Sequence, residues 1–105
     1  MGRDETLRID HVALRSLDIR RDAAWYCENF GCEIEYEDET WASLVAPGGW
    51  RIALVTPTQH PSHVAFLQAG PVPSDAKSHR DGTVSKYLKD PSGNFVELLW
   101  RPGSL

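Results

Sequence analysis

The chain has 105 residues, a formal net charge of −4, 41% hydrophobic and 25% charged residues. That length suits a single domain with one modest core, and the ordinary balance excludes a disordered chain. The acidic balance, with no basic stripe, argues against a nucleic-acid surface. No apolar run approaches the roughly 20 residues needed to span a bilayer, and the start Met1-Gly2-Arg3-Asp4-Glu5 has no signal-peptide pattern, so a cytoplasmic setting is expected.

In chain order, Leu7 to Leu14 alternates well enough for a first strand. Asp18 is placed to cap a helix in which Ile19, Ala23, Tyr26, Cys27 and Phe30 form one apolar stripe, and Gly31 stops it. Cys27 and Cys32 fit no zinc or redox spacing and read as buried free thiols. Glu33-Ile34-Glu35-Tyr36-Glu37 alternates, with its acids on one wet face. Trp41 to Val45 and Arg51 to Val55 are further strands joined by the turn Pro47-Gly48-Gly49, so the first half reads βαβββ.

The second half opens with a fifth strand, Ser62 to Leu67. Residues 69 to 82 contain Pro71, Pro73 and Gly82 and leave room for one short helical turn near Ser74 to His79. Thr83 to Leu88 reads as a strand, Asp90 to Asn94 as a tight turn and Phe95 to Trp100 as the last strand. Both halves begin on a strand of the form His-Val-Ala. The C-terminal half therefore reads as a worn copy of the N-terminal one, with modules of about 7–56 and 62–101 in one domain.

Glu97 is misplaced by its neighbours. It sits in Phe95-Val96-Glu97-Leu98-Leu99-Trp100, apolar on both sides of the pleat, where an unpaired carboxylate costs several kcal/mol. His11 and His63 occupy equally apolar strands. Each residue has an ordinary reading alone: a hydrogen-bonded core histidine, or a solvent-facing glutamate. Together they also suit a divalent cation, since two histidines and one carboxylate bind Fe(II), Mn(II) or Zn(II) with positions left open.

The stretches "IDHVAL", "RRDAAWYCENFG", "HVAF" and "YLKDPSGNFVELL" resemble the vicinal oxygen chelate superfamily of glyoxalase I, bleomycin- and fosfomycin-resistance proteins and extradiol dioxygenases. The resemblance covers residues 8 to 100, and Asp-Pro-x-Gly-Asn-x-x-Glu is its most specific part. It implies an α+β fold of two βαβββ modules, the second helix shortened, whose mixed sheet curls into a cup around a metal. It also implies His11, His63 and Glu97 as ligands, on strands one, five and eight.

Within the group, a glyoxalase-like lyase or isomerase would want a further acid from the fourth strand, which has none. Bleomycin-resistance proteins, which sequester an antibiotic without metal, usually lack the triad. The serine-, lysine- and arginine-rich run of fosfomycin enzymes has only a partial substitute in "SDAKSHRDGTVSK". Extradiol dioxygenases are similar in the order His79, Tyr87, Asp90-Pro91-Ser92-Gly93 and Glu97, although Lys86 departs from their apolar residue before the tyrosine. That resemblance implies Tyr87 and His79 as catalytic residues acting on a vicinal diol, with Fe(II) favoured and Mn, Zn or Ni as alternatives. The family's separate acid/base histidine has no clear match; His60 reads as a loop residue. Trp41 is placed to floor the pocket beneath a flat substrate, and Trp25, Trp50 and Trp100 read as core or interface. The shortened helix leaves the second module's sheet short of cover, so a homodimer is expected.

Overall fold

A computed structural model of the chain describes residues 8–79 and 82–102. The elements are β1 (Arg8–Arg15), α1 (Ile19–Phe30), β2 (Glu33–Glu37), β3 (Trp41–Val45), β4 (Arg51–Val55), β5 (His63–Leu67), β6 (Lys77–Ser78), β7 (Val84–Lys89) and β8 (Phe95–Trp100). Leu7, expected to begin the first strand, lies outside the described residues. Among the described residues, mixed strands and one helix make the class α+β, as expected. The chain falls into two compact units, residues 11–63 and residues 8–10 with 64 onward.

In the unit 11–63 the strand order is β2-β3-β4-β1. β1 runs parallel to β4, and the other pairs are antiparallel. Helix α1 forms where its caps dictate. The Asp18 carboxylate accepts the Arg21 N–H at 3.1 Å, and Gly31 takes φ 70 and donates its N–H to the Cys27 carbonyl at 3.0 Å. Ser16, fully buried, accepts the Asp18 N–H and donates to Asp22 at 2.6 Å, which holds the Asp22 carboxyl below its usual range. The helix sets Ile19 and Ala23 against Ala42, Leu44, Ile52 and Leu54, the alternate residues of β3 and β4. Leu44 and Leu54 are fully buried, worth about 1.5–3 kcal/mol each.

Several sequence expectations are corrected here. The buried stripe of α1 is narrower than its spacing suggested: Tyr26 and Cys27 are half-buried, and Phe30 is exposed. Cys32 is buried but Cys27 only partly so, and both thiols are free. Of the tryptophans read as core or interface, Trp100 is buried, while Trp25 and Trp50 are exposed and so not core. Trp25 lies outside the stripe led by Ile19 and Ala23 and meets Tyr26 and Phe30 edge-on at the surface. The acids of β2 do not share one face. A register irregularity between Ile34 and Tyr36 breaks the alternation, so Glu35 reaches Ser43 and Arg51 while Glu37 pairs with Arg20 of α1.

In the second unit the order is β5-β8-β7-β6. The stretch from Ser74 to His79, with room for at most one helical turn, forms no helix. A single turn closes from the Ala76 N–H to the Pro73 carbonyl, and Lys77 and Ser78 then pair with Ser85 and Val84 as a short edge strand. One turn is too short to propagate a helix, and the β7 edge offers the ladder instead. The hairpin turn before β8 forms as expected. Asp90 accepts the N–H groups of Ser92 and Asn94 at 2.9 and 2.8 Å, and Gly93 takes φ 89. A partly buried ion pair also ties this unit together: Arg101 holds Asp10 through two hydrogen bonds of 2.9 and 3.0 Å.

Candidate metal centre

His11 lies on β1 with its ring on the face of Ala13, opposite the helix. Two residues along a strand place both side chains on one side, and His11 pairs with Arg51 as Ala13 pairs with Ala53. His63 opens β5 and is buried. Its Nδ1 lies 2.8 Å from the Pro61 carbonyl oxygen, so that nitrogen carries the proton and donates it. The two imidazoles meet edge to face, with centroids 5.5 Å apart.

Glu97 is 6% exposed, on the face of β8 shared with Phe95 and Leu99. Its register partner is Tyr87 of β7. Burial, and then the Glu97 charge, push the Tyr87 phenol well above the ordinary tyrosine range, so it stays protonated and able to donate. His11 and His63, whose rings meet within the unit 11–63, and Glu97, buried on β8 of the other unit, each offer one ligand atom of a kind that binds a divalent cation. The donor chemistry fits a divalent cation. Hydrogen bonding through Nδ1 leaves His63 Nε2 as the lone-pair nitrogen, an arrangement typical of ligating histidines.

The other expected site residues fall as follows. His79 sets Nε2 2.6 Å from Ser85 Oγ, and Ser85 is buried two residues before Tyr87 on the same face. The His79 backbone N–H donates to the Thr83 carbonyl at 2.8 Å. His60 lies in the loop before β5, as expected. Trp41 packs on Ala13, Ala53 and Val55, which places it on the His11 face, and it stacks on Tyr36 at 4.6 Å. Sequence reasoning missed a polar cluster on this face. Arg51 holds Glu35 through two bonds of 2.9 Å, and Ser43 donates to the same carboxylate at 2.8 Å. A serine and an arginine in two apolar strands were the signal for it.

With fold and geometry in hand, comparison with known proteins identifies the class. The Glyoxalase/Bleomycin resistance protein/Dioxygenase superfamily model matches residues 8–87. The chain belongs to that superfamily. No curated protein matches the sequence. Among solved structures it is similar to a superfamily member from Vibrio splendidus 12B01, at 16% identity and TM-score 0.66, covering 90% of this chain and 98% of that one. It is also similar to a variant of Streptomyces coelicolor methylmalonyl-CoA epimerase in complex with 2-nitronate-propionyl-CoA, at 18% identity and TM-score 0.67, covering 89% and 96%. A third is described as NAD-dependent benzaldehyde dehydrogenase from Legionella pneumophila, at 12% identity and TM-score 0.63, covering 87% and 97%. At these identities the likeness shows the fold alone, and three differently named proteins share it. No helix among the described residues is long and apolar enough to cross a membrane.

Proposed function

We propose that this chain is a metal-dependent enzyme that acts, in the cytoplasm, on a small molecule presenting two adjacent oxygens, most like a small ring-cleaving dioxygenase. The observation that carries the reading is the meeting of the His11 and His63 imidazoles, 5.5 Å between centroids, together with the burial of the Glu97 carboxylate in an otherwise apolar strand. These three residues would hold the cation, with Fe(II) favoured and Mn, Zn or Ni as alternatives. The cation would supply Lewis acidity toward the two substrate oxygens and, for iron, the redox chemistry of ring cleavage.

The chain's own groups supply position and protons. The Pro61 carbonyl keeps the His63 ring in one tautomer and orientation. The Tyr87 phenol, kept neutral by burial and by Glu97, donates a hydrogen bond to a substrate oxygen. His79, anchored on Ser85, supports that face and holds or relays a proton. Trp41 offers an indole face to a flat substrate on the His11 side.

A second reading, an epimerase or lyase that moves a proton without O2, is supported by the likeness to methylmalonyl-CoA epimerase. Non-catalytic sequestration of a small molecule is the third. Metal analysis of the reconstituted protein and of Glu97→Ala, followed by O2-uptake assays on catechols, tests the first. It expects one metal per chain, lost in the variant, and O2 consumption. Bound metal without O2 uptake on any catechol moves the choice to the second or third reading. Absence of stoichiometric metal after reconstitution overturns metal dependence altogether.

A further inference from the structure

Beyond Tyr87, the face of the β7–β8 hairpin that carries Glu97 holds Lys89 and Phe95 toward the turn, and Ser85 and Leu99 away from it. Lys89 pairs with Phe95 in the ladder, as Tyr87 pairs with Glu97. The four side chains therefore share one face in two adjacent rows. Phe95 is two residues from Glu97, about 7 Å along the strand. The Tyr87 and Phe95 rings meet edge to face at 6.3 Å, and the Lys89 ammonium sits over the Phe95 ring, 5.0 Å from its centroid. Phe95 is half-buried and Lys89 exposed.

The ammonium is charged and held, yet it is in no ion pair among the described residues. Its neighbour Asp90 is committed elsewhere, accepting from the Ser92 and Asn94 backbone and from the Asn94 side chain at 2.9 Å. The neighbouring lysine of β7, Lys86, belongs to the opposite face and is bound to Asp75 at 2.8 Å. A cation fixed over an aromatic ring loses less side-chain freedom when it meets an anion, so its charge is preorganised.

We propose that Lys89 is a specificity-determining residue that reads a negative charge on the substrate. The substrate class is then an apolar or aromatic chelator whose two adjacent oxygens are followed, about one ring length away, by a carboxylate or comparable anion. Phe95 and Tyr87 contact its body, and Lys89 takes the anion. This rests on the metal-centre reading for the position of the chelating oxygens.

The test is calorimetric binding of protocatechuate, its neutral amide and catechol to the protein reconstituted with Mn(II), with metal content measured on the same samples. Wild type is expected to bind protocatechuate about tenfold more tightly than the amide, with the difference shrinking as salt is raised. Lys89→Gln is expected to abolish the preference, and Lys89→Arg to keep it, with metal content unchanged in both. A melting measurement guards against a merely structural role: similar thermal stability of Lys89→Gln and Lys89→Arg ties the lost preference to charge reading. No preference for the carboxylate in wild type, no protocatechuate binding to metal-replete protein, or an equal loss for both ligands in Lys89→Gln overturns the inference. Lys89-dependent binding of protocatechuate to protein that takes up no metal sinks the metal-centre reading and leaves Lys89 as the anion receptor.

Discussion

Tyr87 and Glu97 stand directly opposite each other in the β7–β8 ladder, one a phenol 36% exposed and the other a carboxylate 6% exposed. Directly paired residues share a face, so the phenol lies over the carboxylate. The turn at Asp90 sets this register, because a slip of one residue would move Glu97 to the other face. Under the proposed function, Tyr87→Phe keeps its metal and loses about a hundredfold in kcat/KM, the lower end of what a positioned proton donor contributes. Metal analysis beside steady-state kinetics checks both halves. A variant of unchanged kcat/KM would remove Tyr87 from the mechanism.

Asp10 is buried, and Arg101 grips it through two hydrogen bonds across 91 positions of sequence. Arg101→Ala strips those bonds from a carboxylate with little access to water. A loss of about 2–4 kcal/mol is expected, less than for a fully buried pair because Arg101 is partly exposed. Urea unfolding of the two proteins reads this from the midpoint. A shift equivalent to under about 0.5 kcal/mol, the size of an exposed pair, would contradict it.

Asp38 supports the entry to β3. Its carboxylate accepts from the Tyr36 hydroxyl and from the Thr40 and Trp41 N–H groups, and its pKa is lowered, first by the Tyr36 bond and then by the backbone bonds. A carboxyl depressed on folding stabilises above its unfolded pKa, about 3.9, and that contribution is lost as pH falls through the folded value. Asp90 and Asp22 are lowered in the same direction. The melting temperature of wild type is therefore expected to fall steadily below about pH 4. Asp38→Asn should show a shallower fall over that range, in thermal scans between neutral and acid pH. Parallel curves for the two proteins would show that Asp38 contributes nothing to the acid sensitivity.

The face of β7 and β8 opposite Glu97 carries Val84, Leu88, Val96 and Leu98, with no helix of the second unit over it among the described residues. Leu88 is 44% exposed, a large apolar side chain facing water. We propose that a second copy covers this face, giving a homodimer. Analytical ultracentrifugation at micromolar concentration should find a dimer, and Leu88→Lys should shift it to monomer. A monomeric wild type would refute the proposal.

Much of this was legible in the sequence. Period-two alternation around His11, the short apolar run around Glu97, the Asp18 and Gly31 caps, and the Asp90 turn each rest on interactions within a few residues. Hence the strand and helix bounds were read to within a residue or two. The stretch 74–79 was allowed at most one helical turn, but its edge strand was not foreseen, because propensity could not anticipate an open ladder edge on β7. The acids of β2 were misread because a register shift leaves no mark on the alternation itself.

The sequence by itself determined the order of elements, their apolar faces and the residue types able to bind a cation, since those follow from local backbone preference and the spacing of side chains. Only the tertiary structure decided which of those side chains meet. Strand register brought Tyr87 over Glu97, set the Lys89 ammonium on Phe95, and sent Glu35 to Arg51. Contacts of that kind depend on hydrogen-bond ladders between segments far apart in the chain, and no short stretch of residues contains that information.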